Sequence, residues 1–312
     1  MARILVTDPL DPAAASALRK AGHEVEERKL TPDELLREIA AYDALLVRSE
    51  TKVTKAVLGV ADKLKVVGRA GVGVDNIDTN AARERGVAIV NAPLAASNAV
   101  AELTLGHMLA LCRRIPRADT TTKEGKWEKK ALVGIELQGR TLGLLGVGRI
   151  GGRVAELCRA FGMKVVVYDP YVDAARAKEL GATKVETPVE VAQQADFISV
   201  HVPLTPETKH LVNADLLKQC RKGAFILNVA RGGIVDEKAL YDAIKSGHLG
   251  GAGLDTFETE PLKESPLASL PNVVFTPHLG ASTDEAQSKA GMMVAEQVRK
   301  VLAGEKAEFR VV

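Results

Sequence analysis

The sequence predicts an α/β protein made of two doubly wound parallel-sheet domains. Short β-branched runs alternate with helical patterns, which is the rhythm of parallel βαβ units. One long helical stretch interrupts this rhythm, which then starts again. The chain has 312 residues and 46% hydrophobic content, enough for two cores, since domains contain roughly 100 to 200 residues.

The first third of the chain contains the first series of strands. Helical segments between these strands end at glycines, for example Gly22 after AAASALRKA and Gly86 after NAARER, as helices commonly do. We predict strands at residues 3–7 (RILVT), 44–48 (ALLVR), 64–70 (LKVVGRA) and 87–93 (VAIVNAP).

A long apolar-periodic stretch then predicts a helix that crosses between the domains. It begins at Ser97, a favourable N-cap, and is expected to stop at Pro116. The basic segment TTKEGKWEKKALVG follows and contains the only tryptophan, Trp127. Two interpretations of this segment remain open: a solvated surface, or a contact between subunits.

The strand rhythm restarts after the long helix and predicts a larger second α/β unit. Its strand-like runs are TLGLLGVG, KVVVYDP, DFISVHVP, AFILNVARGG, GGAGLDTF and NVVFTPHLG. A last helix is predicted from Asp284 to about Leu302, ending at Gly304.

Composition excludes several classes of protein. The net charge is +2 without a long basic run, and aromatic residues make up 4% of the chain, which argues against nucleic-acid binding. The spacing of Cys112, Cys158 and Cys220 fits neither a zinc site nor a disulfide framework, so we expect buried thiols and no metal. The N-terminal apolar run is too short for a signal peptide, and no stretch reaches 18 apolar residues, so we expect a cytoplasmic protein.

A dinucleotide-binding motif lies between a predicted strand and an amphipathic helix. Gly146, Gly148 and Gly151 form G-x-G-x-x-G. These glycines allow the tight turn, the close approach of a pyrophosphate and close helix packing. Asp169 ends the next strand, where a carboxylate binds the ribose hydroxyls and repels a 2′-phosphate. The sequence therefore predicts a Rossmann-type domain that binds NAD in preference to NADP.

Three later strands end in residues suited to hydride-transfer chemistry. Oxidation of a hydroxyl-bearing carbon needs a base, a group that orients the base, and a cation for the substrate. His278, Glu260 and Arg231 supply these three roles, and carboxyl ends of parallel strands meet in one crevice. His201 remains the alternative base, although its position after DFISV also suits the lining of the cofactor crevice.

Nearly the whole chain resembles the D-isomer-specific 2-hydroxyacid dehydrogenases, and most closely their phosphoglycerate dehydrogenase branch. The motifs are VRSETKVT, VVGRAGVGVDNID, GLLGVGRIGGRV, YDP, NVARGGIVDE, GLDTFETEP and PHLGAST. The family's catalytic arginine, glutamate and histidine match Arg231, Glu260 and His278. The resemblance further implies cofactor contacts at Arg149, Ile150, Asp169, Val202, Pro203, Val229, Ala230, Asp255 and Gly280, and substrate contacts at Arg48, Ser49, Arg69, Val72, Gly73 and Asn98.

The resemblance also implies a domain arrangement and an activity. A smaller, flavodoxin-like substrate domain would comprise residues 1–95 and 283–312, with the NAD-binding domain at 96–282. The implied reaction is NAD-dependent oxidation of D-3-phosphoglycerate to 3-phosphohydroxypyruvate, the first step of serine biosynthesis, in a homodimer. Many members of that branch carry further C-terminal regulatory domains, whereas this chain ends at Val312, so we expect a short-form or truncated enzyme.

Two alternatives to that function remain open. One is a D-2-hydroxyacid dehydrogenase for glycerate, lactate or a larger acid. The other is an NAD-sensing protein similar to the family's corepressors. Arg48 and Arg69 follow strands and are candidates for binding a phosphate, while Lys129 and Lys130 are candidates for adding charge across a dimer. Solvated surface positions are the alternative for all four.

Overall fold

The computed structural model describes residues 1–312 and divides into two compact units, Met1–Ala96 with Ala281–Val312, and Ser97–Gly280. Most helices in the first unit begin at a side chain that caps backbone N–H groups, such as Thr31, which forms a capping box with Glu34. Its elements up to residue 96 are β1 (Arg3–Val6), α1 (Pro12–Lys20), β2 (Glu24–Glu27), α2 (Pro32–Glu38), a 3₁₀ turn (Ile39–Ala41), β3 (Ala44–Val47), α3 (Lys55–Val60), β4 (Val66–Arg69), α4 (Thr79–Glu84) and β5 (Ala88–Asn91).

The five strands form a parallel sheet in the order β2-β1-β3-β4-β5. This is the flavodoxin-type order of doubly wound sheets. Strand β2 was not predicted from the sequence. Its sequence is EVEE, and it pairs with β1 alone at the sheet edge, where solvent accommodates charged side chains and no apolar run is required.

The second unit repeats this construction on a larger scale. Its elements are α5 (Ser97–Arg113), α6 (Ile115–Lys123), β6 (Thr141–Leu145), α7 (Arg149–Ala160), β7 (Lys164–Tyr168), α8 (Ala174–Glu179), β8 (Thr183–Lys184), α9 (Pro188–Gln194), β9 (Phe197–Val200), α10 (Ala214–Gln219), β10 (Phe225–Asn228), α11 (Glu237–Lys245), β11 (Gly251–Leu254), a 3₁₀ turn (Pro266–Ser269) and β12 (Val273–Phe275).

The seven strands of this unit are parallel, in the order β12-β11-β10-β9-β6-β7-β8. Counted from β6, the sheet has the Rossmann order, with its reversal between β6 and β9. Helices α5 and α7 bury one face, whereas α9, α10 and α11 bury the other. The predicted fold class is confirmed. The two-residue edge strand β8 was not predicted, because it has too few apolar positions to show a pattern.

The prediction that the long helix stops at Pro116 was wrong. Helix α5 ends at Arg113, and Arg114 adopts a left-handed conformation with φ 53°. Pro116 lies in the first turn of α6, where its missing N–H costs no helical hydrogen bond. The proline therefore begins a second helix, which includes the first residues of the basic segment TTKEGKWEKKALVG.

After Gly280 the chain returns to the first unit as α12 (Asp284–Leu302). Val294 and Val298 of α12 pack on β4 at Gly68, where an added Cβ would lie 2.7 Å from Val298. Helix α12 and α1 thus cover one face of the first sheet, and α2, α3 and α4 cover the other. None of the helices combines the length and apolar character needed to cross a bilayer.

Candidate active site

The three predicted catalytic residues follow three neighbouring strands of the seven-stranded sheet. Arg231 follows β10, Glu260 follows β11 and His278 follows β12. All of these strands are parallel, so their carboxyl ends lie at one edge of the sheet, where ligands bind in open α/β folds. The topology therefore gathers at one edge residues that are 29 and 18 positions apart in the sequence.

Glu260 and His278 form a direct hydrogen-bonded pair. Nδ1 of His278 lies 2.8 Å from Oε2 of Glu260, while the second carboxylate oxygen accepts the N–H of Phe257 at 3.1 Å. The His278 side chain is 50% exposed and that of Glu260 is 36% exposed. Because the carboxylate only accepts hydrogen bonds, Nδ1 carries the shared proton and Nε2 of the neutral ring is free to accept another.

Arg231 lies in a turn that two other residues hold in place. The side chain of Asn228 donates to the carbonyl oxygen of Arg231 at 2.8 Å and accepts the N–H of Ala230 at 3.1 Å. A Cβ at Gly232 would lie 1.7 Å from the carbonyl oxygen of Phe257. The Arg231 turn therefore packs backbone to backbone against the loop that carries Glu260, and only glycine fits at that point.

Asp255 holds the turn that carries His278. Its carboxylate is buried and accepts the hydroxyl of Thr276 at 2.5 Å and the N–H groups of Leu279 and Gly280 at 2.7 and 2.9 Å. Its carbonyl oxygen accepts the N–H of His278 at 2.9 Å. His278 itself has φ 54°, a conformation uncommon for a residue with a side chain. Asp255, predicted as a cofactor contact, thus has a positioning role toward the histidine.

The glycine turn after β6 has the space that a dinucleotide needs. Gly146 has φ 91°, and a Cβ there would lie 2.7 Å from the carbonyl oxygen of His201; at Gly151 it would lie 2.5 Å from that of Gly146. At Gly148 an added Cβ would meet no atom within 4 Å. Gly148 is the N-cap of α7 and supplies no capping side chain, so the helix start can accept an anionic pyrophosphate. The turn fits NAD.

Asp169 follows β7 and braces the glycine turn. Its carboxylate accepts the N–H of Val147 at 2.9 Å and, through the other oxygen, the N–H of Tyr171 at 2.9 Å. Each carboxylate oxygen accepts two hydrogen bonds, so both retain capacity for ribose hydroxyls.

The remaining predicted cofactor contacts all lie just beyond strand ends of the same sheet. Arg149 and Ile150 start α7, Val202 and Pro203 follow β9, Val229 and Ala230 follow β10, and Gly280 lies in the turn after β12. A Cβ added to Gly280 would lie 3.2 Å from Val100 and 3.3 Å from the Asp255 carboxylate, so this glycine packs closely against both residues.

His201, the alternative base, lies under the glycine turn. Its Nε2 is 2.8 Å from the hydroxyl of Ser199, a residue buried within β9. Although part of the residue reaches the surface, Nδ1 is buried, and burial lowers the pKa of the imidazole to about 4. A serine hydroxyl provides no charge to stabilise a protonated ring, so this geometry favours His278 as the base and leaves His201 lining the crevice.

In the first unit, the predicted substrate residues lie in two loops whose conformation is fixed by side-chain hydrogen bonds. The buried carboxylate of Asp8 accepts the N–H of Arg48 at 2.6 Å and the hydroxyl of Thr51 at 2.6 Å, and the side chain of Asn76 donates to the carbonyls of both residues. Ser49 lies between them.

The second loop follows β4 and begins at Arg69. Asn91 donates to the carbonyl oxygen of Val72 at 2.6 Å, and Gly73 is the next residue. The Arg69 side chain folds over Gly71, where a Cβ would lie 1.5 Å from its guanidinium. Asn98 belongs to the second unit, where it bonds to Glu102 at 2.6 Å and Arg153 at 2.9 Å.

Three residues that hold the site together were not predicted from the sequence. Asn228, Thr276 and Asp8 make no part of a recognisable catalytic pattern, yet each fixes a turn that carries a candidate site residue. Each is a polar residue at the end of an otherwise apolar strand, and this pattern could have identified them in the sequence: Asn228 in ILNV, Thr276 in VFTPH and Asp8 in LVTD. Buried polar groups require partners, so such positions identify turns with fixed geometry.

Comparison with known proteins agrees with this geometry. Residues 105–280 match the family model described as "D-isomer specific 2-hydroxyacid dehydrogenase, NAD binding domain". The chain is 52% identical over 308 residues to a D-3-phosphoglycerate dehydrogenase of Methanocaldococcus jannaschii, covering 99% of this chain and 59% of that protein. A second, from Archaeoglobus fulgidus, is 47% identical, covering 97% of this chain and 58% of that protein. The chain thus spans less than two thirds of their length.

A solved structure extends the similarity to the whole fold. A crystal structure of a Thermus thermophilus protein superimposes with a TM-score of 0.92 and 38% identity, covering 99% of this chain and 100% of the other.

Proposed function

Because the chain belongs to the D-isomer specific 2-hydroxyacid dehydrogenases, whose NAD-binding domain it contains, we propose that it oxidises a D-2-hydroxy acid to the 2-keto acid. The observation that carries the proposal is the Glu260–His278 pair at 2.8 Å, at the carboxyl edge of the NAD-binding sheet. A base paired with a carboxylate is the arrangement that proton abstraction from an alcohol requires.

His278 is the base in this proposal. Its Nε2 takes the proton of the C2 hydroxyl while the C2–H bond breaks and the C2–O bond becomes a carbonyl. NAD, when bound, accepts the hydride. Glu260 holds the ring through Nδ1 and stabilises the imidazolium that forms. In the reverse direction the same Nε2 returns the proton to the carbonyl oxygen.

Arg231 binds the substrate carboxylate and carbonyl oxygen. A guanidinium forms paired hydrogen bonds with a carboxylate, and the Asn228 side chain fixes the turn from which this guanidinium extends. A positive charge beside the carbonyl oxygen also stabilises the negative charge that develops there during hydride transfer.

For the substrate, we infer D-3-phosphoglycerate, with 3-phosphohydroxypyruvate as the product. The support is the agreement among relatives named D-3-phosphoglycerate dehydrogenase, at 45 to 52% identity. We propose that the unit Met1–Ala96 with Ala281–Val312 binds the substrate, with Arg48 and Arg69 as phosphate ligands and with Ser49, Val72 and Gly73 as neighbouring contacts. Asn98 is proposed as a further substrate contact.

We further propose a cytoplasmic homodimer. Three buried thiols suit a reducing compartment.

The proposed dimer interface lies on the second unit. There Trp127 is 84% exposed, and Ile115 and Val133 are exposed as well. A cavity of about 400 Å³ beside Ile115 and lined by Val133 reaches the amino-terminal ends of β10 and β12, the edge opposite the site, so a second copy bound there leaves the site open. Sedimentation of Trp127→Glu as a monomer would support this interface, and an unchanged dimer would contradict it.

Parallel assays with different acids test the proposed reaction. NADH formation is followed with 3-phosphoglycerate, D-glycerate and D-lactate at equal concentrations. We expect the highest kcat/KM with 3-phosphoglycerate and a larger loss for that acid than for D-glycerate on Arg48→Ala. Higher efficiency with D-glycerate would overturn the phosphate assignment, and no activity with any of the three would count against the reaction class.

A further inference from the structure

A buried histidine outside the proposed mechanism contacts the turn that carries the base. His107 lies in α5 and is 1% exposed. Its Nε2 is 2.9 Å from the hydroxyl oxygen of Thr276, a residue 169 positions away in the sequence. Thr276 in turn bonds to Asp255 at 2.5 Å, and Asp255 receives the N–H groups that shape the His278 turn.

The direction of each hydrogen bond in this chain follows from its acceptors. The single hydroxyl proton of Thr276 goes to the carboxylate of Asp255, so its oxygen can only accept from His107. His107 must therefore carry its proton on Nε2. Burial lowers the pKa of His107, with Asp255 acting in the opposite direction, which is consistent with a neutral ring that carries one proton.

The imidazole of His107 packs directly against the backbone of the sheet at a glycine. On the neighbouring strand β11, a Cβ at Gly253 would lie 2.8 Å from Nδ1 and 2.9 Å from Cβ of His107. The glycine therefore lets the ring lie against the sheet with Nε2 directed at Thr276. Because the Thr276 oxygen accepts the proton of His107, its own hydroxyl proton points toward the Asp255 carboxylate.

We propose that His107 is a positioning residue for the reaction: its Nε2–H orients the Thr276 hydroxyl, which fixes the Asp255 carboxylate and, through it, the turn of His278. This inference rests on the proposed function, because its catalytic consequence is the alignment of the base. Misplacing a catalytic group by about 1 Å lowers the rate by about 100-fold. Loss of the donor is therefore expected to lower kcat.

Two variants and a control separate positioning from packing. His107→Phe fills the space without a donor, and His107→Gln supplies an amide donor near the position of Nε2. Thr104→Val is the matched control, since Thr104 is buried in the same helix and its hydroxyl bonds to the carbonyl oxygen of Val100 within α5. We expect His107→Phe to lose about 10-fold to 100-fold in kcat, His107→Gln to recover most of it, and Thr104→Val to keep kcat even with a lower Tm.

Two measurements without substrate make the outcome independent of the proposed function. In ¹⁵N-histidine-labelled wild-type protein we expect the Nε2–H form of His107, and the Nδ1–H form would overturn the proposal. Amide exchange at Leu279 and Gly280 is expected to accelerate in His107→Phe and to stay slow in His107→Gln and Thr104→Val. Equal exchange in all variants, or equal loss of kcat in both His107 variants, would also overturn it. If the wild-type protein is inactive toward every acid, the proposed function is contradicted. The exchange measurements still test whether the hydrogen bonds from His107 through Thr276 to Asp255 fix the His278 turn.

Discussion

Oε2 of Glu260 lies 2.8 Å from Nδ1 of His278, although the two residues follow different strands. The glutamate side chain is also held by the N–H of Phe257, so the carboxylate has a fixed direction. One proton on Nδ1 leaves Nε2 as the only ring atom available for exchange with a substrate. The pair therefore determines which nitrogen performs the chemistry.

Replacing Glu260 by glutamine is expected to slow hydride transfer. The amide carries no charge to stabilise the imidazolium that forms on His278 during proton transfer, and it no longer fixes which end of the side chain faces Nδ1. We expect kcat for oxidation to fall about 10-fold or more, with NADH affinity near that of wild type. A wild-type kcat in Glu260→Gln would contradict this role for Glu260.

Asn228→Ala is expected to loosen the Arg231 turn. The change leaves the N–H of Ala230 and the carbonyl oxygen of Arg231 without their partner, which costs about 1 to 3 kcal/mol in unfolding free energy. We expect a higher KM for the acid. Asn228→Asp retains the acceptor for Ala230 and should have a smaller effect on stability. If KM for the acid is the same in Asn228→Ala as in wild type, the turn does not position Arg231.

Asp169→Ala is expected to weaken discrimination between the two nicotinamide dinucleotides. The carboxylate is the group that binds ribose hydroxyls and repels a 2′-phosphate, and hydrogen bonds to charged groups contribute about 1.5 to 3 kcal/mol. We expect NAD affinity to drop by about 10-fold or more and the preference over NADP to shrink, as measured by fluorescence titration. Asp173→Asn, which changes the N-cap of α8, serves as the control. An unchanged preference in Asp169→Ala would refute the assignment.

His201 is expected to make stability depend on pH below neutrality. Burial lowers the pKa of its imidazole from 6.5 to about 4, so between these values the unfolded chain binds a proton that the folded protein does not. Stability is therefore fully present above about pH 6.5 and falls as the pH drops toward 4. The loss is at most about 3 to 4 kcal/mol, since one pKa unit corresponds to about 1.4 kcal/mol.

Calorimetry of wild type and His201→Gln at several pH values between 6.5 and 4 measures this contribution. We expect the Tm of the variant to fall less steeply with decreasing pH. Parallel curves for the two proteins would show that His201 does not contribute to the acid sensitivity.

Much of the fold was predictable because burial on both faces of a parallel sheet produces continuous apolar runs. Strands such as β6 and β10 stand out for this reason, and their carboxyl ends indicated the site. The edge strands β2 and β8 lack that pattern because solvent replaces one neighbour. The end of α5 was mislocated because a proline in a first helical turn and a proline that ends a helix have the same local sequence signal.

Contacts between distant residues account for what the sequence could not provide. His107 and Thr276 are 169 residues apart, and Asp255 reaches Leu279 and Gly280 across two strand ends. Local periodicity carries no information on such pairs. The candidate catalytic residues could be named from strand ends and motifs, whereas the groups that position them come together only in the folded structure.

The most direct test of His278 as the catalytic base is single-turnover hydride transfer in His278→Gln. The variant is loaded with NAD, mixed with 3-phosphoglycerate, and followed by absorbance of NADH, with NADH binding measured separately. Glutamine cannot accept the C2 hydroxyl proton, so we expect the transfer rate to fall by about 100-fold to 10,000-fold with NADH affinity near that of wild type. Hydride transfer at the wild-type rate would contradict the assignment of His278 as the base.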